Sequence, residues 1–168
     1  MMRQNPNVGL RPSLRAGEGE RTMKCVTRTI TVRTDRGPQF VDITEQVAAA
    51  AREASLRNGF AIVFSRHTTA AIRINENEPM LIQDMEQFLE RVAPAHDFYN
   101  HNDSAHSLDP QREGGPNGHS HCQQLLLGAS EAVPVAAGDL VLGRWQRLFL
   151  VELDRGRDRE VVVQLVGE

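Results

Sequence analysis

The amino-acid sequence predicts an α+β domain built from mixed or antiparallel sheets and two main helices. Three observations point there. Helix-patterned and strand-patterned runs are segregated rather than strictly alternating, and the C-terminal third is almost all strand pattern. The strand runs are short and bounded by turn residues.

The elements follow in order. "VTRTITVRT" alternates, with Val26, Ile30 and Val32 sharing a face with Arg28 and with Thr27, Thr29 and Thr31 opposite. That is a strand with one buried face. "RGP" at 36–38 is a turn. "ITEQVAAAAREASLRNG" carries an apolar stripe of Ile43, Val47, Ala50, Ala51 and Ala54, a helix capped by Asp42 or Thr44. Gly59 suits the left-handed position after its end. "FAIVFSR" is a buried strand and "TAAIRIN" an alternating one. "PMLIQDMEQFLERVAP" is the second helix, bounded by Pro79 and Pro94, with Ile82, Met85, Leu89 and Val92 inward. Residues 94–118 are a long polar loop with His96, His101 and His106. Four strands follow, "EAVPVA", "LVLG", "RLFLVEL" and "REVVVQLV", and "DRGRD" is expected to join the last two as a hairpin.

Length and composition narrow the function classes. The 168 residues suit one domain with its own core. Residues 1–22 lack any apolar period and read as a disordered N-terminal extension, which leaves 23–168 as the domain. Met23 is then a candidate start codon. A net charge of −3 argues against bulk binding to nucleic acid or anionic membrane. No apolar run reaches transmembrane length. Cys25 and Cys122 lie far apart and no export signal precedes them, so reduced thiols in a cytoplasmic protein are expected.

Polar groups gather in four stretches: "SRHTT", "NENEP", "YNHND" and "GGPNGHSHCQQLLLG". Neutral imidazoles suit zinc, and a site needs three or four ligands. His119 and His121 supply two if "HSH" is extended, and His101 or His67 a third. If a helix already begins at His119, the two rings point about 200° apart, and His121 is the preferred ligand. His67, at a strand exit, is a candidate general base, or else it caps the strand by hydrogen bonding. Glu76 near the end of "IRIN" is a second acid/base candidate, while Glu78 suits a helix N-terminus. Arg66, Arg73, Arg144 and Arg147 lie near strand ends, where guanidinium forks suit phosphate oxygens. Trp145 is the lone tryptophan and a candidate for stacking on a ring. No P-loop and no nucleophile elbow is present.

Taken together, "SRHTTAAIRINENEP", "YNHND", "NGHSHCQQLLLGAS", "VPVAAGDLVLGRWQRLFLVELD" and "VVVQLVGE" resemble the YjbQ family, described as secondary thiamine-phosphate synthase-like proteins. The resemblance spans Met23 to Glu168. It implies a small α+β domain assembled as a homotrimer, with polar clefts between subunits. It also implies a weak ability to join a pyrimidine diphosphate to a thiazole phosphate. Carried over by position, the site comprises His67, Thr68, Asn75, Glu76, His101, His119, His121, Trp145 and Gln146. Three arginines depart from the family pattern. Arg144 stands where a small or hydroxyl residue is common, Arg147 where glycine is, and Arg73 where threonine is.

His67 and Glu76 are the acid/base candidates. Thr68, Arg73, Asn75, Arg144, Trp145 and Gln146 are expected to bind substrate. His101, His119 and His121 are candidate ligands of a divalent ion, zinc or magnesium. The expected ligand is a small phosphorylated metabolite. The alternatives to the synthase are a zinc-dependent hydrolase of such a compound and a non-enzymatic metal- or metabolite-binding trimer.

Overall fold

A computed structural model describes residues 22–103 and 115–168. The expected N-terminal extension, but for Thr22, lies outside the described residues, as does His106. Among the described residues no helix is long and apolar enough to cross a membrane.

The strands are β1 (Lys24–Arg33), β2 (Gln39–Asp42), β3 (Gly59–Ser65), β4 (Ala70–Glu76), β5 (Ser130–Ala136), β6 (Asp139–Leu140), β7 (Gln146–Glu152) and β8 (Asp158–Gly167). The helices are α1 (Thr44–Glu53), α2 (Pro79–Val92) and α3 (Gly118–Leu127), with a short 3₁₀ turn at Asn100–Asn102. One sheet has the order β1-β8-β3-β5-β6 and the other β2-β7-β4, and every pairing is antiparallel. The α+β class therefore holds, with one helix and one strand beyond those expected.

The two sheets and α1 enclose the main core. Val32, Ala61, Val63, Val133, Val135, Val161, Val163 and Leu165 come from the larger sheet. Ile72, Leu148 and Leu150 come from the smaller one, and Ile43, Val47 and Ala51 from α1 and its cap. A second cluster fills the other side of the small sheet. There Ala71, Phe149, Val151 and Leu153 meet Leu89 of α2, with Ile82 and Leu127 packed against them. β7 is thus buried on both faces, which is why "LFLV" is an unbroken apolar run.

Several boundaries differ from expectation. α1 ends well before Gly59. Ser55 takes the left-handed position at φ 51°, and the amides of Ser55 and Leu56 donate to the Arg52 and Ala51 carbonyls. That closure lets Leu56 bury in the core at 1% exposure. Asp42 does accept from the Thr44 amide at 2.9 Å. In α2, Val92 is exposed rather than inward. Of "LVLG" only Leu140 is strand, together with Asp139 before it.

The expected "DRGRD" hairpin does not form, because β7 and β8 belong to different sheets. Residues 153–157 cross between them beside the β1–β2 link. The Thr34 amide donates to the Arg157 carbonyl at 2.9 Å, and Arg36 bridges Arg155. β3 and β4 also lie in different sheets, so residues 66–69 make a second crossing. Both crossings run at the same end of the sandwich, since Ala70 pairs with Glu152 and Ser65 with Val161.

Candidate functional site

Where the two crossings meet, the chain leaves a cavity of ≈ 390 Å³ lined by Arg66, His67, Thr68, Thr69, His101, Asn117, His121, Arg157 and Arg159. No carboxylate is among these lining residues.

Behind the cavity lies a buried ion pair. Glu152 is fully buried and Arg159 is 4% exposed. Nε and Nη2 of Arg159 each donate to one Glu152 oxygen at 2.5 Å, and Nη2 also donates to Thr69 Oγ1 at 3.0 Å. Thr34 Oγ1 and the amides of Leu153 and Asp154 donate to the same carboxylate. A buried charge needs such company, because its desolvation cost outweighs a single contact. At the rim, Arg157 pairs with Asp154 at 2.8 Å and Arg66 with Glu160 at 3.0 Å. Burial acts to raise the Asp154 pKa, but bonds from Arg157 and Arg155 overcome it and hold the carboxyl below its ordinary range.

His67 serves as a strand cap. β3 ends at Ser65, so the Glu160 amide has no partner strand on that side, and it donates to His67 Nε2 at 2.9 Å. A neutral imidazole has one donor and one acceptor nitrogen. With Nε2 accepting, the proton sits on Nδ1. Burial, then the Arg159 charge, pushes the His67 pKa down and keeps the ring neutral. To act as a base through Nε2 the ring would have to release the amide. Its Nδ1–H remains a donor.

His101 and His121 meet edge to face, with ring centroids 4.6 Å apart. Two local features bring the 3₁₀ turn onto α3. Asn102 Oδ1 accepts from the Asn117 and Gly118 amides at 3.0 and 2.9 Å, capping α3 from the neighbouring segment. Gly118 admits Tyr99, since a Cβ there would stand 2.4 Å from Tyr99 Cβ.

His119 does not join that pair. α3 begins at Gly118, so His119 and His121 point to opposite sides of the helix. His119 is buried, with Nε2 3.1 Å from Ser120 Oγ, and the Ser120 hydroxyl donates to the Leu153 carbonyl at 2.8 Å. Burial lowers its pKa as well. The expected cluster of His101, His119 and His121 is therefore not assembled. Among the described residues no three His, Cys, Asp or Glu side chains gather to hold a metal. His101 and His121 thus supply two of the three or four ligands that a zinc site takes, and no carboxylate lines the cavity.

The other expected residues stand elsewhere. Asn75 pairs in register with Arg147 and Glu76 with Gln146, at the far end of the small sheet. Six strand steps from Ala70 to Glu76 are about 20 Å. There Asn75 Nδ2 points at Met85 Sδ, Gln146 accepts from the Gly143 amide, and Arg147 is tied to Asp42 at 2.7 Å. Trp145 is 59% exposed, and the Arg144 guanidinium lies 4.5 Å from its ring centre. Arg73 binds the Leu127 carbonyl at the end of α3 and Glu131 of β5. Within one chain the expected residues thus fall into two groups at opposite ends of the sheet.

Thr69, Asn117, Glu152, Arg157 and Arg159 were not foreseen. The sequence held a signal for two of them. Glu152 follows "FLV" in a strand buried on both faces, and Arg159 is in phase with Val161, Val163 and Leu165. Opposite charges at inward strand positions must find one another.

The comparisons with known proteins agree on the family. A UPF0047 protein of Methanothermobacter thermautotrophicus is 39% identical over 146 residues, covering 87% of this chain and 95% of that protein. The UPF0047 protein YugU of Bacillus subtilis is 33% identical, covering 83% and 98%. A crystal structure of a YbjQ-like protein of unknown function from Sulfolobus solfataricus superposes with a TM-score of 0.78 at 36% identity, covering 88% of this chain and 100% of that one. A hypothetical protein from Aeropyrum pernix gives 0.76 at 34% identity, covering 85% and 99%. The family profile described as UPF0047 protein YjbQ-like matches residues 28–168, and the chain belongs to that family.

Proposed function

We propose that the cavity binds a small phosphorylated metabolite, and that the chain joins a pyrimidine diphosphate to a thiazole phosphate with release of diphosphate. One observation carries the reading: three arginines, three histidines, two threonines and an asparagine converge with no acid among them. As the bond to diphosphate breaks and the bond to the thiazole forms, negative charge builds on the departing group. Fixed guanidinium and imidazole donors stabilise that charge most when water is displaced. No step is assigned to a metal.

The test is incubation of the purified chain with both precursors, following thiamine phosphate and released diphosphate together. Equimolar formation of both is expected. Two observations favour simple binding over turnover: His67 Nε2 is occupied by the Glu160 amide, and Glu76 stands at the other end of the sheet. Saturable binding of the precursors without either product would select that second reading.

We also propose that the chain assembles as a homotrimer. Support comes from the uncovered face of β3, where Phe60, Ile62 and Phe64 are 41%, 37% and 43% exposed. Contiguous apolar surface of this kind marks an interface. Light scattering is expected to return three times the 18.7 kDa chain mass, and a monomer at micromolar concentration would contradict it.

A further inference from the structure

We propose that Arg159 is the residue that grips a phosphate oxygen in the cavity, and that the buried Glu152 positions it. The inference rests on the phosphorylated-ligand reading above and assigns that ligand its anchor.

The basis is a count of donors. A guanidinium has five N–H groups in a fixed planar fork. Nε–H and both hydrogens of Nη2 are taken by Glu152 and Thr69. Among the described residues, no hydrogen bond is made by Nη1. It is not sealed in the protein either. Among the described residues, the buried side-chain nitrogens and oxygens without partners are His119 Nδ1 and Gln123 Oε1, and Arg159 Nη1 is not one of them. Arg159 lines the cavity although it is 4% exposed. Nη1, with two donors, is therefore an accessible part of this cavity-lining side chain.

Arg66 and Arg157 differ from it. Arg66 is more than half exposed and Arg157 about a third, so both hold their ion pairs in partial contact with water. Arg159 is held at two nitrogens by a carboxylate that accepts three further bonds, so its orientation is set before any ligand arrives. Preorganised donors of this kind lose little freedom on binding. Beside it, His67 Nδ1–H is a neutral donor on a ring fixed by the Glu160 amide. A charged and a neutral donor, in a cavity lined by no carboxylate, suit an oxyanion. They offer nothing to an ammonium or a hydroxyl hydrogen.

The experiment is calorimetric titration of the full chain with inorganic diphosphate. The key variant is Arg159→Gln with Glu152→Gln, which removes both buried charges together and avoids stranding one. Arg33→Gln is the control. Arg33 is an exposed residue of β1 paired to Asp158 on the strand that carries Arg159. Loss of a charge-assisted contact is expected to weaken diphosphate binding about tenfold or more in the double variant and to leave the control within about twofold. A folded double variant that binds like wild type overturns the role of Arg159. Wild type that binds no diphosphate overturns the phosphorylated-ligand reading itself. If the double variant does not fold, arginine side-chain NMR of the wild type reads the same contact, with Arg159 assigned through its proximity to Thr69. Movement of its resonances with diphosphate supports the anchor, and unmoved resonances at saturation overturn it.

Discussion

His67 illustrates how much of this site depends on single hydrogen bonds. Its imidazole ends a strand pairing, and the pairing in turn decides which nitrogen holds the proton. A pH prediction follows from it and from His119, both with lowered pKa in the folded chain. Well above pH 6.5 both rings are neutral in both states, and neither affects stability. Below 6.5 the unfolded chain takes up protons that the folded rings decline, so stability falls with pH until the folded values are passed. Asp42 and Asp154 act in a lower window. Their folded pKa values are below the usual 3.8, so their contribution is full above that value and is lost as pH falls through the folded ones. Denaturant titrations from pH 8 to pH 3 should show this early acid loss, and His67→Gln with His119→Gln should flatten the part that begins near 6.5. An unchanged early loss in that double variant would refute the assignment.

Helix α3 is where sequence reasoning was least complete, for a physical reason. "NGHSH" has the composition of a loop, and its first turn is capped not by its own Asn117 but by Asn102, far back in the chain. A cap supplied from another segment leaves no local pattern. The amphipathic stripe of α2 and its bounding prolines were legible because they are local, and so was the alternation in β1, β4 and β8. Sheet membership was not. The apolar run of β7 and the run of β8 look like hairpin partners across "DRGRD", and only tertiary pairing sends them to different sheets. The packing of α3 against the 3₁₀ turn gives a direct prediction. Gly118→Ala puts a methyl 2.4 Å from Tyr99 Cβ, so the turn must move away from the helix. A loss of about 1–3 kcal/mol in stability is expected for such overpacking. It should be accompanied by separation of the His101 and His121 rings, read as loss of their mutual NMR contacts. Full stability with the contacts kept would show that the approach is not tight.

Over the whole molecule, the candidate site is a product of topology. Two crossings between sheets, a turn and a helix start converge on one end of the sandwich, and they bring arginines and histidines from distant sequence to one cavity. "SRHTT", "YNHND" and "HSH" were recognisable as polar stretches, and one residue or more of each does line that cavity. "NENEP" and "RWQ" were as conspicuous, but strand length carries them to the other end of the small sheet. Sequence spacing could not separate the two groups, since the register of β4 on β7 is what does so. The proposed function requires the first group to take the anion. A crystal structure of the chain grown with diphosphate tests this most directly. The predicted result is diphosphate in the cavity, within hydrogen-bond distance of Arg159 Nη1 and His67 Nδ1. Diphosphate bound only at the far end, beside Asn75, Arg144 and Trp145, would contradict it.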